Sequence, residues 1–540
     1  MTPLRARSLQ ALADGTFDVL VVGGGINGAV AAACLAGRGA RVGLVDRSDF
    51  ASGTSQQSSN LAWGGIKYME TFELGLVRKL CVSRNHLIRS YPSTVEEIRF
   101  FAAHQPGFRH GRLKLFLGTL LYWLLGSFFT KPPRLLSRAA IAAEEPIIDL
   151  SDGKCDGGFE YSDAYFHDND ARFVWGFVRR ALDAGAAAAN YLEVSSMRRG
   201  DDDHWVVTAS DRLTGKRLEI RAKVIVNACG PWVDPVNREA SVTTTHRHVF
   251  SKGIHLIVRR LTEHTRVLTF FADDGRLFFV IPMGTRTAIG TTDTRVETPD
   301  AVVTDEDRAF VLSNINKRLA LSSPLTEDDI IAERCGVRPL AVAASGGAAV
   351  DWMQLSRKHE VEVDARARHI SVFGGKLTDC LNVGEEIAAE VERLGVELPN
   401  REARWFGEPE PEVRARFFAR ADAMGLDRLT SRTSSEPLSV RFWRRYGDQA
   451  FRLLDALEGD RTRAELVIEG AEYARCELEL AAEREMIEKL EDFMRRRSKI
   501  ALVMRRDEIE SAPGLPEACA ILFGEDADER LAEYFVEAAR

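Results

Sequence analysis

The first fifty residues alternate apolar runs with glycine-bearing breaks, at the lengths of a strand, a helix and a second strand. Val19 to Val22 is a continuous apolar run, as expected for a strand covered on both faces of a parallel sheet. Gly23, Gly25 and Gly28 follow at the spacing G-x-G-x-x-G, before an alanine-rich helical stretch. The first glycine permits a tight turn, the second lets backbone approach a pyrophosphate, and the third lets the helix pack against the strand. Asn27 falls in the first turn of that helix, whose N–H groups and dipole suit phosphate. A second strand, Arg41 to Val45, ends in Asp46, where a carboxylate can accept hydrogen bonds from a ribose. A merely structural glycine turn would leave Asp46 unexplained, so the pattern predicts dinucleotide binding.

Two later stretches repeat the strand-to-turn pattern. "AKVIVNACGPWVDPV" runs into a tight turn at Ala228 to Gly230. "HISVFGGKLTDCLNVGEEIAAEV" is a strand, a Gly374–Gly375 turn and a helix beginning near Leu377 and Thr378. Such a helix N-terminus can face the pyrimidine ring of a flavin, where negative charge develops on reduction. Turns so far apart predict one cofactor crossing a domain built from discontinuous segments. The polar loop "SGTSQQSSN", with Thr54, Ser58 and Ser59, and the Gly64–Gly65 turn after it are expected to cradle FAD rather than NAD. The FAD domain should comprise the N-terminal third and the regions Lys223 to Val236 and Arg368 to Leu394. Segments between these read as a mixed-sheet substrate domain, including "HWVVTASDRLTGKRLEIRAK", a hairpin through Thr214–Gly215. Beyond about residue 400, Arg, Glu and Ala recur at helical spacing without glycine turns. The expected division is an FAD-dependent oxidoreductase region over 1–398 and an α-helical C-terminal domain over 399–540.

One apolar run fits neither pattern. "LKLFLGTLLYWLLGSFF", Leu113 to Phe129, is shorter than the roughly 20 apolar residues that span a bilayer. It is either a buried helix or a segment lying in a membrane interface. No Asp or Glu occurs between Glu97 and Glu144, while Arg109, Arg112, Lys114, Lys131, Arg134 and Arg138 flank the run. Basic flanks favour anionic lipid.

Composition narrows the class. The 540 residues, 45% hydrophobic and 28% charged, suit a soluble globular enzyme of two or three domains. A formal charge of −8 argues against nucleic-acid binding. The eight cysteines are scattered with no C-x-x-C pair, which fits neither a zinc site nor a disulfide scaffold and suits a reducing cytoplasm. The N-terminus lacks the apolar region of a signal peptide, so a cytoplasmic protein is expected, with peripheral contact to the inner face of the cytoplasmic membrane as its open alternative. No metal-ligand spacing is present, and no metal is expected.

Taken together, "VVGGGINGA", "GGIKYMET", "GGFEYSDA", "VNACGPWV", "SKGIHLIV", "FFVIPMGTRTAIGTTDT", "CGVRPL" and "SVFGGKLTDCLNVGEE" resemble the FAD-dependent glycerol-3-phosphate dehydrogenases. The resemblance runs from Asp18 to about Arg497, where "EREMIEKLEDFMRRR" is similar to the family's helical cap. It implies a glutathione-reductase-like FAD-binding (Rossmann-type) α/β fold and oxidation of sn-glycerol 3-phosphate to dihydroxyacetone phosphate. It also implies a membrane quinone as electron acceptor, and a homodimer stays open. Two positions depart from the family: Trp63 stands where histidine is usual, and Lys67 where arginine is usual. An ammonium is a point charge where a guanidinium binds phosphate bidentately, so a preference for an anion survives while its identity stays open.

Hydride removal from a secondary alcohol needs a flavin near the carbon, a group to take the hydroxyl proton, and cations for the anionic tail. Arg338 and Lys376 each sit in a glycine-containing turn beside an apolar strand, and matched to the family both belong at the substrate. Lys67 and Arg357 are further candidate cations, and Tyr68 a candidate hydrogen-bonding group, each with a plain surface or packing role as the alternative. His255, opposite Ile254, Leu256 and Val258 on its strand, is the candidate base because imidazole exchanges protons near neutral pH, with a satisfied structural histidine as the alternative. Rival readings are a sister flavin oxidase or dehydrogenase acting on another small anionic hydroxy or amino acid, and a non-catalytic flavoprotein.

Overall fold

The computed structural model describes residues 1–105, 108, 110–344 and 358–537. Arg109 and Arg357 lie outside the described residues.

The N-terminal pattern folds as it reads. Thr16–Val22 pairs in parallel with Val42–Val45, and the helix Ile26–Gly37 crosses between them. The sheet continues from Thr16–Val22 to Arg217–Asn227 and His369–Phe373, both parallel, and closes with antiparallel Glu360–Asp364. Its other edge is Ala187–Ala189. The helices Ile26–Gly37, Asp170–Asp183 and Cys380–Arg393 contribute to the largest apolar core, with Val19, Val21, Val30, Leu35, Phe177 and Val391 among its buried members. Burial on both faces accounts for the unbroken apolar runs in these strands.

A second, mostly antiparallel sheet runs through Thr294–Val296, His246–Arg259, Arg286–Gly290, Leu277–Met283, Val267–Phe271, Val95–His104, Gly157–Phe166 and Leu61–Ala62. Ala332–Ala343 pairs with His246–Arg259 over twelve positions, from His246 opposite Ala343 to Ile257 opposite Ala332. Core clusters lie on both faces: Ile254, Leu256 and Val258 in one, Ile257 in the other.

Two expectations are corrected here. The Trp205–Asp211 and Arg217–Asn227 hairpin belongs to the cofactor-side sheet, not the substrate sheet, because its second strand runs on into the central position beside Thr16–Val22. The N-terminal third is divided: Leu61–Ala62, Val95–His104 and Gly157–Phe166 join the second sheet. Local pattern cannot show which sheet receives a strand.

From Pro411 on, the described chain is mainly helical, with a two-stranded ribbon, Leu466–Ile468 and Tyr473–Ala474. This region packs around cores of its own, built on Phe417, Phe442, Trp443 and Leu454, and on Leu490, Phe493 and Leu522.

The short apolar run forms the helix Arg112–Leu125. Thr119 and Tyr122 are buried, and Leu115, Phe116 and Leu125 pack on the second-sheet core. Leu113, Leu117, Leu121 and Leu124 stand exposed, at 62%, 56%, 38% and 50%. Spaced four, four and three residues apart, they form one stripe. The fully buried alternative is therefore overturned. Part of the flanking charge is neutralised, since Arg99 and Arg134 pair with Glu160 at 2.9 and 2.7 Å. No helix among the described residues is long and apolar enough to cross a membrane.

Candidate active site

A cavity of about 770 Å³ lies where the two sheets meet, and all three glycine turns open onto it. At the first turn Gly23 takes φ +99°, and a Cβ on Gly28 would stand 1.8 Å from the Gly23 carbonyl oxygen. Only glycine at 28 lets the helix start this close to the strand. Gly25 caps that helix without a side chain of its own, and Ser55 Oγ accepts the Ile26 N–H at 3.0 Å. Asn27 Nδ2 donates to Gly374 O at 3.0 Å, tying the first turn to the third. The Asp46 carboxylate accepts Gly24 N–H at 2.7 Å and Ser48 N–H at 2.8 Å. Burial pushes its pKa up to about 6, against those two bonds.

The polar loop lies along the same wall. Thr54 Oγ1 donates to Val337 O at 2.7 Å, and Thr54, Ser58 and Ser59 all line the cavity. So do Ala228, Gly230, Gly375, Leu377 and Thr378. One stretch of wall also carries Leu192, Arg47 and Trp232, with the Arg47 guanidinium 4.2 Å over the indole. An elongated cradle with backbone N–H groups at a helix start, a carboxylate and an aromatic–cation pair fits a dinucleotide.

The rest of the wall supplies a different chemistry. His255, Arg338, Lys376 and Lys67 line the same cavity. His255 is 3% exposed, and neither ring nitrogen has a hydrogen-bond partner among the described residues. Burial, then the charges of Arg334 and Arg338, push its pKa down to about 3. The Arg338 guanidinium lies over Gly253, where a Cβ would come within 2.2 Å of Nη2. Arg338 Nη1 is 3.5 Å from Asp293 Oδ1, and Nη2 donates to Thr291 Oγ1 at 3.3 Å. Lys376 Nζ stands 4.1 Å over the Tyr68 ring, a cation–π contact.

Two expected positions differ, Tyr68 and Gly64, while Gly28 takes the helix-packing place its motif position predicts. Tyr68 is buried behind Lys376 and is not among the cavity-lining residues. Gly64 is not on the wall either: its N–H donates to Asp163 Oδ1 at 2.9 Å, and a Cβ there would meet the Tyr122 hydroxyl at 2.2 Å. Gly28 packs behind the first turn. Asp163 is fully buried with Arg84 at 2.9 Å and accepts the Tyr122 hydroxyl at 2.8 Å, so it holds the Gly64–Gly65 turn in place. Sequence reasoning passed over Asp163, Asp293, Arg47 and Trp232. Asp163 sits in "YSDA" inside the strand Gly157–Phe166, where an acid within an apolar strand pattern is the available signal; Asp293 sits in the polar connection "GTTDT", which carries no such signal. Among the described residues no group of three or more His, Cys, Asp or Glu is placed to hold a metal ion.

Comparison with known proteins agrees with this geometry. The sequence profile of the FAD dependent oxidoreductase family matches residues 18–398, and that of the C-terminal domain of alpha-glycerophosphate oxidase matches 416–530. The chain is 33% identical to D-erythritol 1-phosphate dehydrogenase of Brucella abortus over 377 residues, 68% of this chain and 72% of that one. It is 32% identical to aerobic glycerol-3-phosphate dehydrogenase of Bacillus subtilis over 391 residues, 71% of this chain and 68% of that one. A solved structure of glycerol-3-phosphate dehydrogenase from Bacillus halodurans, complexed with FAD, superposes with a TM-score of 0.71 at 25% identity, covering 99% of this chain and 96% of that one. The chain therefore belongs to the FAD-dependent oxidoreductases, in the glycerol-3-phosphate dehydrogenase family, and its cofactor is FAD.

Proposed function

We propose that this flavoenzyme oxidises sn-glycerol 3-phosphate at its secondary alcohol to dihydroxyacetone phosphate and passes the electrons to a quinone. The observation that carries the reading is the meeting of a neutral, buried imidazole with the cations Arg338, Lys376 and Lys67 on the wall of one FAD cavity. Bound FAD supplies the acceptor for a hydride from the alcohol carbon. His255 takes the hydroxyl proton on its unprotonated ring nitrogen, since burial beside Arg334 and Arg338 keeps the ring neutral and neither nitrogen has a hydrogen-bond partner among the described residues. Arg338, steered by Asp293 and given room by Gly253, holds substrate oxygen, and Lys67 and Lys376 attract the phosphate. Tyr68 supports Lys376 rather than touching substrate.

A second reading keeps this chemistry and lengthens the alcohol. It is favoured by Trp63, which stands on the cavity wall with its ring edge-on to Phe279 at 6.3 Å, by the lysine at 67, and by the similarity to an erythritol 1-phosphate enzyme. A quinone acceptor goes with contact to a lipid surface, for which the stripe Leu113, Leu117, Leu121 and Leu124 and the neighbouring basic residues are the candidate.

Steady-state assays with an artificial acceptor test the substrate. Glycerol 3-phosphate should turn over, whereas glycerol should not. Lys67→Ala should raise KM more than it lowers kcat, with kcat/KM down about 10- to 150-fold, the value of one charge-assisted hydrogen bond. Turnover of erythritol 1-phosphate in place of glycerol 3-phosphate would move the assignment to the second reading.

Sedimentation with vesicles tests the lipid contact. Wild type should pellet with anionic vesicles and be partly released at high salt. Leu121→Ser with Leu124→Ser should lose that binding and keep its unfolding midpoint, because both side chains are already exposed.

The pH dependence of stability tests His255. Its unfolded pKa is near 6.5 and its folded pKa about 3, so the unfolded chain binds the proton first and stability falls as pH drops through this window. Relative to His255→Gln, wild type should lose roughly 2 kcal/mol between pH 6.5 and 5 by denaturant titration. Parallel curves for the two proteins would refute the buried neutral imidazole.

A further inference from the structure

The C-terminal region reaches under the cofactor loop through one turn, Asp492–Arg497, which is wound as a π-helix. Such turns are uncommon and concentrate at functional sites. Its three consecutive arginines point to the loop between Asp46 and Asn60. Arg496 Nε and Arg497 Nη1 both meet Asp49 Oδ2, at 2.6 and 2.8 Å, and Arg497 Nη2 reaches Oδ1 at 2.9 Å. Asp49 is 1% exposed, and although burial raises its pKa, Arg497 and Arg496 bring the net value below the ordinary range. Arg496 Nη1 also donates to Gln56 Oε1 at 3.4 Å.

Arg495 reaches a residue of the cavity wall. Its Nη2 donates to Gln57 Oε1 at 3.2 Å and to Glu333 O at 2.9 Å, and Gln57 itself lines the FAD cavity. The same stretch is also held by Arg334, whose Nη1 donates to Ser58 O and Asn60 Oδ1, both at 2.6 Å. Asp170 accepts the Ser58 N–H at 2.7 Å. A Cβ at Gly336 would stand 3.0 Å from Gln57 Cβ, so the loop is pressed against the second sheet as well. Arg495 keeps its charge at a cost: burial, then Arg334, draw its pKa down to about 10. An apolar side chain would bridge this gap more cheaply if packing were the whole role.

We propose that Arg495 is a positioning residue for the FAD loop: through Gln57 it fixes residues 55–59 in their cofactor-binding conformation, so that the C-terminal region sets FAD affinity without touching FAD. The preorganised loop saves the ordering cost that FAD would otherwise meet on binding.

The test compares purified holoprotein carrying Arg495→Met, Gln57→Leu, both changes, or Arg495→Lys. FAD dissociation is read from recovery of flavin fluorescence on dilution, and the unfolding midpoint of each FAD-depleted protein is measured alongside. Each single apolar change should weaken FAD binding by about tenfold, the size of one lost hydrogen bond to a charged group. The double change should be no worse than either alone, because both remove the same contact. Arg495→Lys should recover part of the loss, and the midpoints of the FAD-depleted proteins should agree within about 2 °C. Unchanged FAD affinity in both single variants would overturn the proposal. So would multiplied losses in the double variant, or losses that merely follow a lowered unfolding midpoint. If Arg495→Met fails to fold, Gln57→Leu against Gln57→Leu with Arg495→Lys decides the matter by the same readout: the lysine should add no further loss, and an added loss would overturn the proposal.

Discussion

A buried imidazole whose two nitrogens have no hydrogen-bond partner among the described residues, set among guanidinium groups, is the arrangement around which the rest of this molecule is organised. Leaving polar groups buried and unpaired costs on the order of 1–3 kcal/mol each. His255 bears that cost between two apolar cores, with Ile254 and Leu256 in one and Ile257 in the other. The second sheet has to be rigid to hold it there, and the twelve-position pairing of His246–Arg259 with Ala332–Ala343 provides that rigidity. The same pairing sets His255 opposite Arg334 and Ser251 opposite Arg338, so the register of two strands decides where the base and two cations lie.

The cofactor side meets this sheet through links that cross long stretches of sequence. Asn27 reaches Gly374, Thr54 reaches Val337, and Asp49 is locked between Arg496 and Arg497. Removing one partner from a buried pair of the last kind costs roughly 3–5 kcal/mol, because the other charge is left without compensation. The helical C-terminal region is thereby part of the foundation of the FAD cavity, which gives a physical reason for the two matched regions to share one chain.

Much of this was legible in the sequence because it is local. Gly23, Gly25 and Gly28 with Asp46 specify a strand, a turn and a helix start within thirty residues, and Gly374–Gly375 specifies another. What was not legible depends on partners far along the chain. Gly64 looks like a cradle glycine but is turned to Asp163, about a hundred residues later, and Tyr68 is claimed by Lys376. The hairpin after Trp205 joined the cofactor sheet because its second strand fits beside Thr16–Val22, a choice its alternation cannot encode. The orientation of Arg112–Leu125 was legible and went unread: the spacing of Leu113, Leu117, Leu121 and Leu124 marks an apolar stripe that the core leaves uncovered.

The central claim is that this cavity brings the carbon of a phosphorylated secondary alcohol to FAD beside a neutral His255. It is tested most directly by mixing the oxidised holoprotein with sn-glycerol 3-phosphate in the absence of oxygen and following the flavin absorbance through a single turnover. The account predicts that the flavin bleaches, that deuterium at C2 of the substrate slows bleaching severalfold, and that NADH leaves the flavin oxidised. A flavin that stays oxidised with every phosphorylated polyol, or one that bleaches equally fast with unphosphorylated glycerol, would contradict it.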